Sequence, residues 1–363
     1  MQSKRVFIWL TPIIPLVQAV MGVGFLGCKS AVLPFQVEQT AVAKLDSVAE
    51  RMLLYQRDNG GWPQPGGNAI NYNLVLTDAV KKALQSGKSK LDATIDDKAT
   101  TREINYLVDA FSKTQNDVYK KAAERGVTYL LMAQNAKGGW GQFYPDSSSY
   151  RKHITYNDNA MIDVMWVMKR MAEGTDSFAL LDKSLAPKAQ IAVVKGIECI
   201  LNTQFTQQGK LTAWCAQHDR NTLLPANARA FELASLSGSE TVGILEFLMK
   251  IDSPSARVKQ AIRSAVTWLD SVKLVGTTTK TIADATQPSG KDVIVVQSPD
   301  AVIWSRFYEL ETNKPFFCGR DGVKKYSLDQ IENERRVGYG WYGNWPAKLI
   351  TNQYPAWQAR WDK

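Results

Sequence analysis

Two stretches of the chain repeat the pattern Q-x-x-x-G-G-W: one runs from Gln56 through Gly60 and Gly61 to Trp62, the other from Gln134 through Gly138 and Gly139 to Trp140. Each follows an apolar run, Met52-Leu53-Leu54 or Leu130-Leu131-Met132. A looser copy passes from Ile200-Leu201 through Gln204 and Gly209 to Trp214. Such a repeat limits the fold more than any bulk property, because one unit can bury its apolar face only against its neighbours. The pattern predicts a helix ending at a left-handed glycine, with the tryptophan folded back over its last turn. Copies about 70 to 80 residues apart leave room for two helices and elaborate loops per unit, stacked round a common axis. Trp62 and Trp140 are therefore expected to be structural.

Apolar periodicity agrees. Val42, Leu45, Val48, Met52 and Leu53 recur at helical steps over 41–55, and the period returns over 104–114, 118–134, 159–173, 188–202, 240–249 and 255–272. Strand-like runs are few, 293–297 being the clearest. Loops rich in Gly, Pro, Trp and Tyr cover 59–72, 136–150, 207–225, 277–298 and 312–320, and long loops of this kind tend to carry function. The fold class read from these features is all-α: an (α/α) toroid or barrel of helical hairpins with long irregular loops and short β segments. With 45% hydrophobic and 22% charged residues, a chain of 363 residues can bury one large core.

At the N-terminus, Lys4 and Arg5 precede an uncharged apolar stretch over 6–25, and Gly27-Cys28 follows. That is the layout of a signal peptide. Pro12, Pro15 and Gln18 interrupt it and no second apolar run follows, which favours a removed signal over a membrane span. Residues 1–27 are thus read as a signal peptide, 28–37 as a linker and 38–363 as a single domain. The protein is expected to be exported: periplasmic, tethered to the outer membrane, or secreted. Phe25-Leu26-Gly27-Cys28 resembles a lipoprotein cleavage box, with Leu26 where a small residue is usual, so Cys28 is a candidate for a lipid anchor. Cys199, Cys215 and Cys318 make neither a disulfide framework nor a CxxC zinc site. Buried thiols, with room for one bridge, are expected.

The net charge of +9 suits a polyanionic partner, yet the lysines and arginines are scattered and a nucleic-acid partner is not expected. His153 and His218 are the only histidines, too few for a multi-histidine metal site and a poor start for a Ser-His-Asp triad. Three segments hold acids in unusual company: 92–101, with Asp92, Asp96 and Asp97; 155–161, with Asp158; and 214–220, with His218 and Asp219. The first two precede predicted helices, so their acids could serve as N-caps. Gathered oxygen donors are also what a hard cation such as Ca²⁺ takes. Arg229, Arg306 and Arg320 each stand beside aromatic or glycine residues, a setting that suits bidentate carboxylate recognition. Cation-binding acids plus carboxylate-binding arginines point to a uronic-acid-like substrate. A glycoside hydrolase using two of Asp96, Asp158 and Asp219 is the alternative.

In order, LLYQRDNGGWP, LDATIDDKATTREINYL, YLLMAQNAKGGWGQFYP, ITYNDNAMIDV, LTAWCAQHD, ARAFELASLSGSETVGILEFLM and the WSRFYELETNKPFFCGRDG segment resemble polysaccharide lyase family 10, the pectate lyases. Q-x-x-x-G-G-W endings are also similar to those of other α/α toroids, such as terpene cyclases. The resemblance implies a calcium-dependent enzyme that cuts de-esterified polygalacturonate by β-elimination, and a monomer is expected. By the family's motifs it places Arg229 as the base; Asp96, Asp97 and Asp158 at the ion; and Arg306, Arg320, Asp96, Asp97, His218 and Asp219 at the substrate. Asp97 stands where the family is expected to have Asn, and can still ligate an ion. An arginine's pKa lies above about 12, so a base at Arg229 is expected to have that value lowered by Ca²⁺, neighbouring arginines and partial burial.

Overall fold

The computed structural model describes residues 44–146 and 148–362; the expected signal peptide, the linker and Cys28 lie outside the described residues. The predicted helices are present as α1 (Ser47–Tyr55), α3 (Thr101–Thr114), α4 (Asp117–Ala133), α5 (Ala160–Glu173), α6 (Leu185–Thr203), α7 (Glu240–Leu248) and α8 (Ala256–Ser271). Three more, α2 (Asp78–Ser86), α9 (Asn333–Gly338) and α10 (Tyr354–Trp361), fall where no helix is expected. α2 is only nine residues long and buries none of them, so its few apolar residues make a short signal. No helix of the described residues is long and apolar enough to cross a membrane.

The helices pack in two rows. α3, α5 and α7 touch in succession, as do α1, α4, α6 and α8, and the rows are joined by the pairs α3–α4, α5–α6 and α7–α8. The repeated motif builds the second row. Gln56, at the end of α1, donates from Nε2 to the Gly60 carbonyl and to the Ala122 carbonyl of α4, each at 2.9 Å. Gln134, after α4, repeats this to Gly138 and to Ala192 of α6. Gln204, after α6, bonds Thr212 and Ala261 of α8. Meanwhile Trp62, Trp140 and Trp214 donate their indole N–H back to Met52, Leu130 and Ile200. Each unit thus ties its helix end to the next helix of the row, and all three indoles are buried, Trp62 and Trp140 as expected. One detail differs from the expected cap. The helices stop at an extended Gln56 or Gln134, and the glycine with positive φ comes later, Gly60 at 94° and Gly138 at 88°. It lies against the next helix so closely that a Cβ would overlap the carbonyl oxygen of Arg125 or Lys195.

The β content exceeds the short segments expected. Leu274–Ala283 and Lys291–Ser305 form a long antiparallel hairpin, and Tyr342–Gly343 pairs with its second strand. The loop read over 277–298 is therefore mostly strand. Its first arm is the β-branched run Thr277-Thr278-Thr279-Lys280-Thr281-Ile282, which is largely solvated on both faces and so lacks polar–apolar alternation. Elsewhere, short antiparallel contacts lace one loop to the next: Thr94 to Phe143, Gly141 to Ile154, Ile154 to His218, His218 to Pro225, and Ser237 to Phe307. This lacing sets the loops in register at the ends of the helices. Cys199, Cys215 and Cys318 are buried and free.

Candidate active site

α3, α5 and α7 bring their N-termini to the laced loops. Asp96 lies in the turn Asp96–Lys98 just before α3, Asp158 in the turn Asn157–Asn159 just before α5, and Glu240 is the first residue of α7. The two turns pack on each other. Both are held in left-handed backbone, with φ of 44° at Asp97, 64° at Lys98, 50° at Asp158 and 61° at Asn159. Non-glycine residues keep such angles only where the surroundings impose them, and they gather at functional sites. The capping role open to these acids is not the one they take. α1, α4 and α8 have side-chain N-caps, whereas α3, α5 and α7 have none. Asp96 and Asp158 are left for other work, beside helix ends that favour negative charge.

A cavity of about 490 Å³ is lined by Asp96, Gln142, Asn157, Asp158, Arg229 and Glu232, among others. Three residues far apart in sequence, Asp96, Asp158 and Arg229, therefore face one space. Burial, and then the charges of Asp158 and Asp97, push the Asp96 carboxyl above its ordinary value against the lowering effect of Gln142. A carboxyl whose charge is opposed by neighbouring carboxylates is one that a bound cation relieves. The donors here are all oxygens, two carboxylates with the amides of Gln142 and Asn157 nearby, so their chemistry suits Ca²⁺. Among the described residues no three acids, histidines or cysteines are gathered closely enough to hold a metal alone. Asp97 is exposed and does not line the cavity.

A chain of arginines runs from Asp158 to Arg229, of which Arg229 itself lines the cavity. Arg306, largely buried, donates from Nη2 to Asp158 at 2.9 Å and to the buried Glu240. Burial works to lower its pKa, but Glu240, Tyr339 and Asp158 outweigh that and raise it. Its guanidinium lies 4.7 Å from the Tyr339 ring centre, and Arg335 lies at the same distance from that ring. Arg335, Arg320 and Arg229 in turn converge on Phe231, at 4.7, 4.4 and 5.1 Å. Four guanidiniums are thus spaced by two aromatic rings. Arg320 is exposed and pairs with Glu334 at 2.6 Å. Arg335 is buried, and its Nε and Nη2 have no partner among the described residues. Burial, aided by Arg320 and Arg229, lowers its pKa.

Arg229 departs from expectation. Its side chain is forked on Glu232, Nε to Oε2 at 2.8 Å and Nη2 to Oε1, so its pKa is raised and not lowered. Glu232 also accepts the Arg229 backbone N–H at 3.2 Å.

Two further expectations need correction. His218 is 0% exposed, with Nδ1 against the Leu223 carbonyl and Nε2 against the Cys215 N–H, so it cannot touch substrate. Burial lowers its pKa to about 4, which keeps the ring neutral. It supports the floor through the pairing of its backbone with Ile154 and Pro225. Asp219 spends Oδ1 on the N–H groups of Asn221 and Thr222, and those bonds lower its pKa; Oδ2 faces His153 at 3.8 Å. It too serves its own loop. Residues that the sequence reading missed are Glu232, Glu240, Arg335, Tyr339, Gln142 and Asn157. Glu232 and Glu240 lie inside the segment read for Arg229, and their spacing from it was the available signal.

Comparisons with known proteins identify the family. The family model described as pectic acid lyase matches residues 56–350. Among solved structures, the chain is similar to an aspartate-to-alanine mutant of a family 10 polysaccharide lyase from Cellvibrio cellulosa in complex with trigalacturonic acid. Identity is 35%, over 85% of this chain and 92% of that one, with a TM-score of 0.75. A family 10 polysaccharide lyase from the same organism is 35% identical, over 86% of this chain and 92% of that one, with a TM-score of 0.76. No curated protein matches the chain.

Proposed function

The chain belongs to the pectic acid lyase family and is a pectate lyase, and from that premise we propose that it cuts de-esterified polygalacturonate by anti-β-elimination with Arg229 as the base. The observation that carries this is the shared cavity of Asp96, Asp158 and Arg229. The two rows of helices are read as a toroid whose loops form the substrate groove. In the reaction the C5–H bond of a galacturonate unit breaks, its electrons form the C4=C5 double bond, and the C4–O bond breaks on the opposite face. The leaving oxygen takes a proton from solvent, and a 4,5-unsaturated unit remains at the new non-reducing end. Asp96 and Asp158, with Asp97 beside them, would hold Ca²⁺. When bound, the ion draws charge from the substrate carboxylate and so acidifies the C5 proton.

The remaining work belongs to the chain's own side chains. Arg306 and Arg320 bind substrate carboxylates, Arg306 from a position rigidly set by Glu240 and Tyr339. Arg229 accepts the C5 proton in its neutral form. Glu232 opposes this, because its charge stabilises the guanidinium. Arg229 must therefore be parted from Glu232 before it can act, and the charges of Arg320 and Arg335 across Phe231 then favour the neutral guanidine. The hydrolase alternative is weaker: Asp158 is paired with Arg306, and Asp219 is committed to its own turn. Because its substrate is a polymer outside the cell, the enzyme is read as exported.

The test is absorbance near 235 nm on polygalacturonate, the band of the conjugated product, with added CaCl₂ or with EDTA. Rising absorbance that EDTA abolishes is the expected result. Chain cleavage without absorbance would establish hydrolysis, and full turnover in EDTA would remove the ion from the reaction.

A further inference from the structure

A smaller cavity, about 220 Å³, adjoins the active site. Phe143 lines both, and the stretch 142–146 runs from one to the other, with Gln142 at the first and Asp146 at the second. Four residues of chain span at most about 14 Å, so a single oligosaccharide can reach across. The rest of the wall comes from the end of α4, where Met132 and Gln134 lie, and from the half-exposed Lys152 and Arg220.

The strand contact beneath them brings these two cations together. Ile154 pairs antiparallel with His218, and Thr155 with Gln217. The same register carried outward sets His153 opposite Asp219, whose Nδ1 and Oδ2 lie 3.8 Å apart, and then Lys152 opposite Arg220. Like charges facing each other across a strand pair are destabilising. The acids nearby do not relieve them. Asp146 is paired with Arg151 at 2.8 Å and accepts the Ser148 N–H, while Asp219 gives Oδ1 to its own turn. Neither Lys152 nor Arg220 makes an ion pair among the described residues. Burial, with Lys152 and Arg220 working against Asp219, lowers the pKa of His153, so from neutral pH upward its ring adds no charge. The cavity thus holds two cations whose repulsion a bound carboxylate would relieve. Beside them stand aromatic rings fixed by their neighbours: Arg151 lies 4.6 Å over Phe143, and Tyr144 is edge-on to Tyr129 at 5.9 Å. Rings for the apolar face of a pyranose, next to cations for its carboxylate, fit a sugar acid better than a neutral sugar or a bare anion.

We propose that Lys152 and Arg220, beside Phe143, form a distal subsite that takes the carboxylate of a galacturonate unit remote from the bond being cut, so that long chains are cut in preference to short ones. The identity of the sugar acid rests on the function proposed above. The test measures initial rates near 235 nm with trigalacturonate and with hexagalacturonate, and takes the ratio of their kcat/KM values. General damage to the fold lowers both rates together and leaves that ratio alone. In the unaltered enzyme the hexamer should be favoured about tenfold. Lys152→Met and Arg220→Met should each lower the ratio about threefold, the worth of one half-exposed ion pair, and together they should nearly abolish it. Lys152→Arg, which restores the charge, should keep it. A ratio near one in the unaltered enzyme overturns the proposal, as does a ratio that neither methionine substitution lowers. Absence of product from both oligomers would sink the lyase reading instead. Calorimetry of hexagalacturonate on the full protein carrying Arg229→Ala then decides the subsite alone: binding that Lys152→Met weakens about threefold supports it, and binding indifferent to that substitution overturns it.

Discussion

Replacing Glu232 with glutamine should make the enzyme faster below the pKa of its base. The substitution keeps size and an amide oxygen but removes the charge that grips Arg229. The pair is a two-pronged, charge-assisted contact, which alone would be strong. Yet the Arg229 side chain is 51% exposed, so solvent screens it. A discounted value of about 1–1.5 kcal/mol is reasonable, or about one pKa unit at 1.36 kcal/mol per unit. Because the pKa of Arg229 is raised by this pair, losing the charge lowers it. The neutral fraction of a base well below its pKa changes tenfold per pH unit. The line of log kcat against pH should therefore move about one unit towards acid, raising kcat up to about tenfold at fixed pH. The assay is initial rate near 235 nm from pH 7 to 10 at saturating polygalacturonate and Ca²⁺. A fall in kcat at every pH, with the slope unchanged, would refute the reasoning. Glu232 would then merely aim Arg229, or Arg229 would not be the base.

His218 should make stability depend on pH. Its folded pKa of about 4 lies below the ordinary 6.5, so between those values the unfolded chain binds the extra proton and stability falls with pH. The loss approaches about 3 kcal/mol at pH 4, readable as a falling urea midpoint, and His218→Asn should flatten that dependence. Arg306→Ala should destabilise the fold by about 3–5 kcal/mol, because Glu240, 2% exposed, loses its counter-charge. Arg306→Lys should keep most of the stability in thermal melts yet lower kcat/KM by about tenfold or more, since an ammonium cannot reproduce the fork. Gly243→Ala, which adds a Cβ overlapping the Asn159 amide, should push on the turn holding Asp158. Its cost should be about 1–3 kcal/mol in denaturant, with a matching loss of kcat/KM.

The first arm of the hairpin, Leu274–Ala283, shows how an element escapes a reading by pattern, whereas the run over 293–297 in the second arm was legible as strand. Strands announce themselves by alternation when one face is buried, and Leu274–Ala283 buries no residue on either face. His218 escaped for a different reason. Its place beside Asp219 and Arg220 looks like a binding loop, but its ring points into the core, a direction that depends on Leu223 and Cys215 closing around it.

The Q-x-x-x-G-G-W units were legible because each carries its own chemistry: the glutamine and the tryptophan bond carbonyls whose positions follow from one local turn, and the same turn recurs. Helix periods are local in the same sense, and so the two rows of helices follow from short-range rules. Which charges neutralise which is not local. Arg306 meets Asp158 across 148 positions of chain, Arg229 chooses Glu232 over the acids across the cavity, and Arg335 sits among aromatic rings with Nε and Nη2 unpartnered among the described residues. Those outcomes depend on how much water each pair excludes, and burial exists only once the loops are laced together. Sequence therefore determined the scaffold and named the acids and arginines at its rim; folding decided their partners, and with them their protonation.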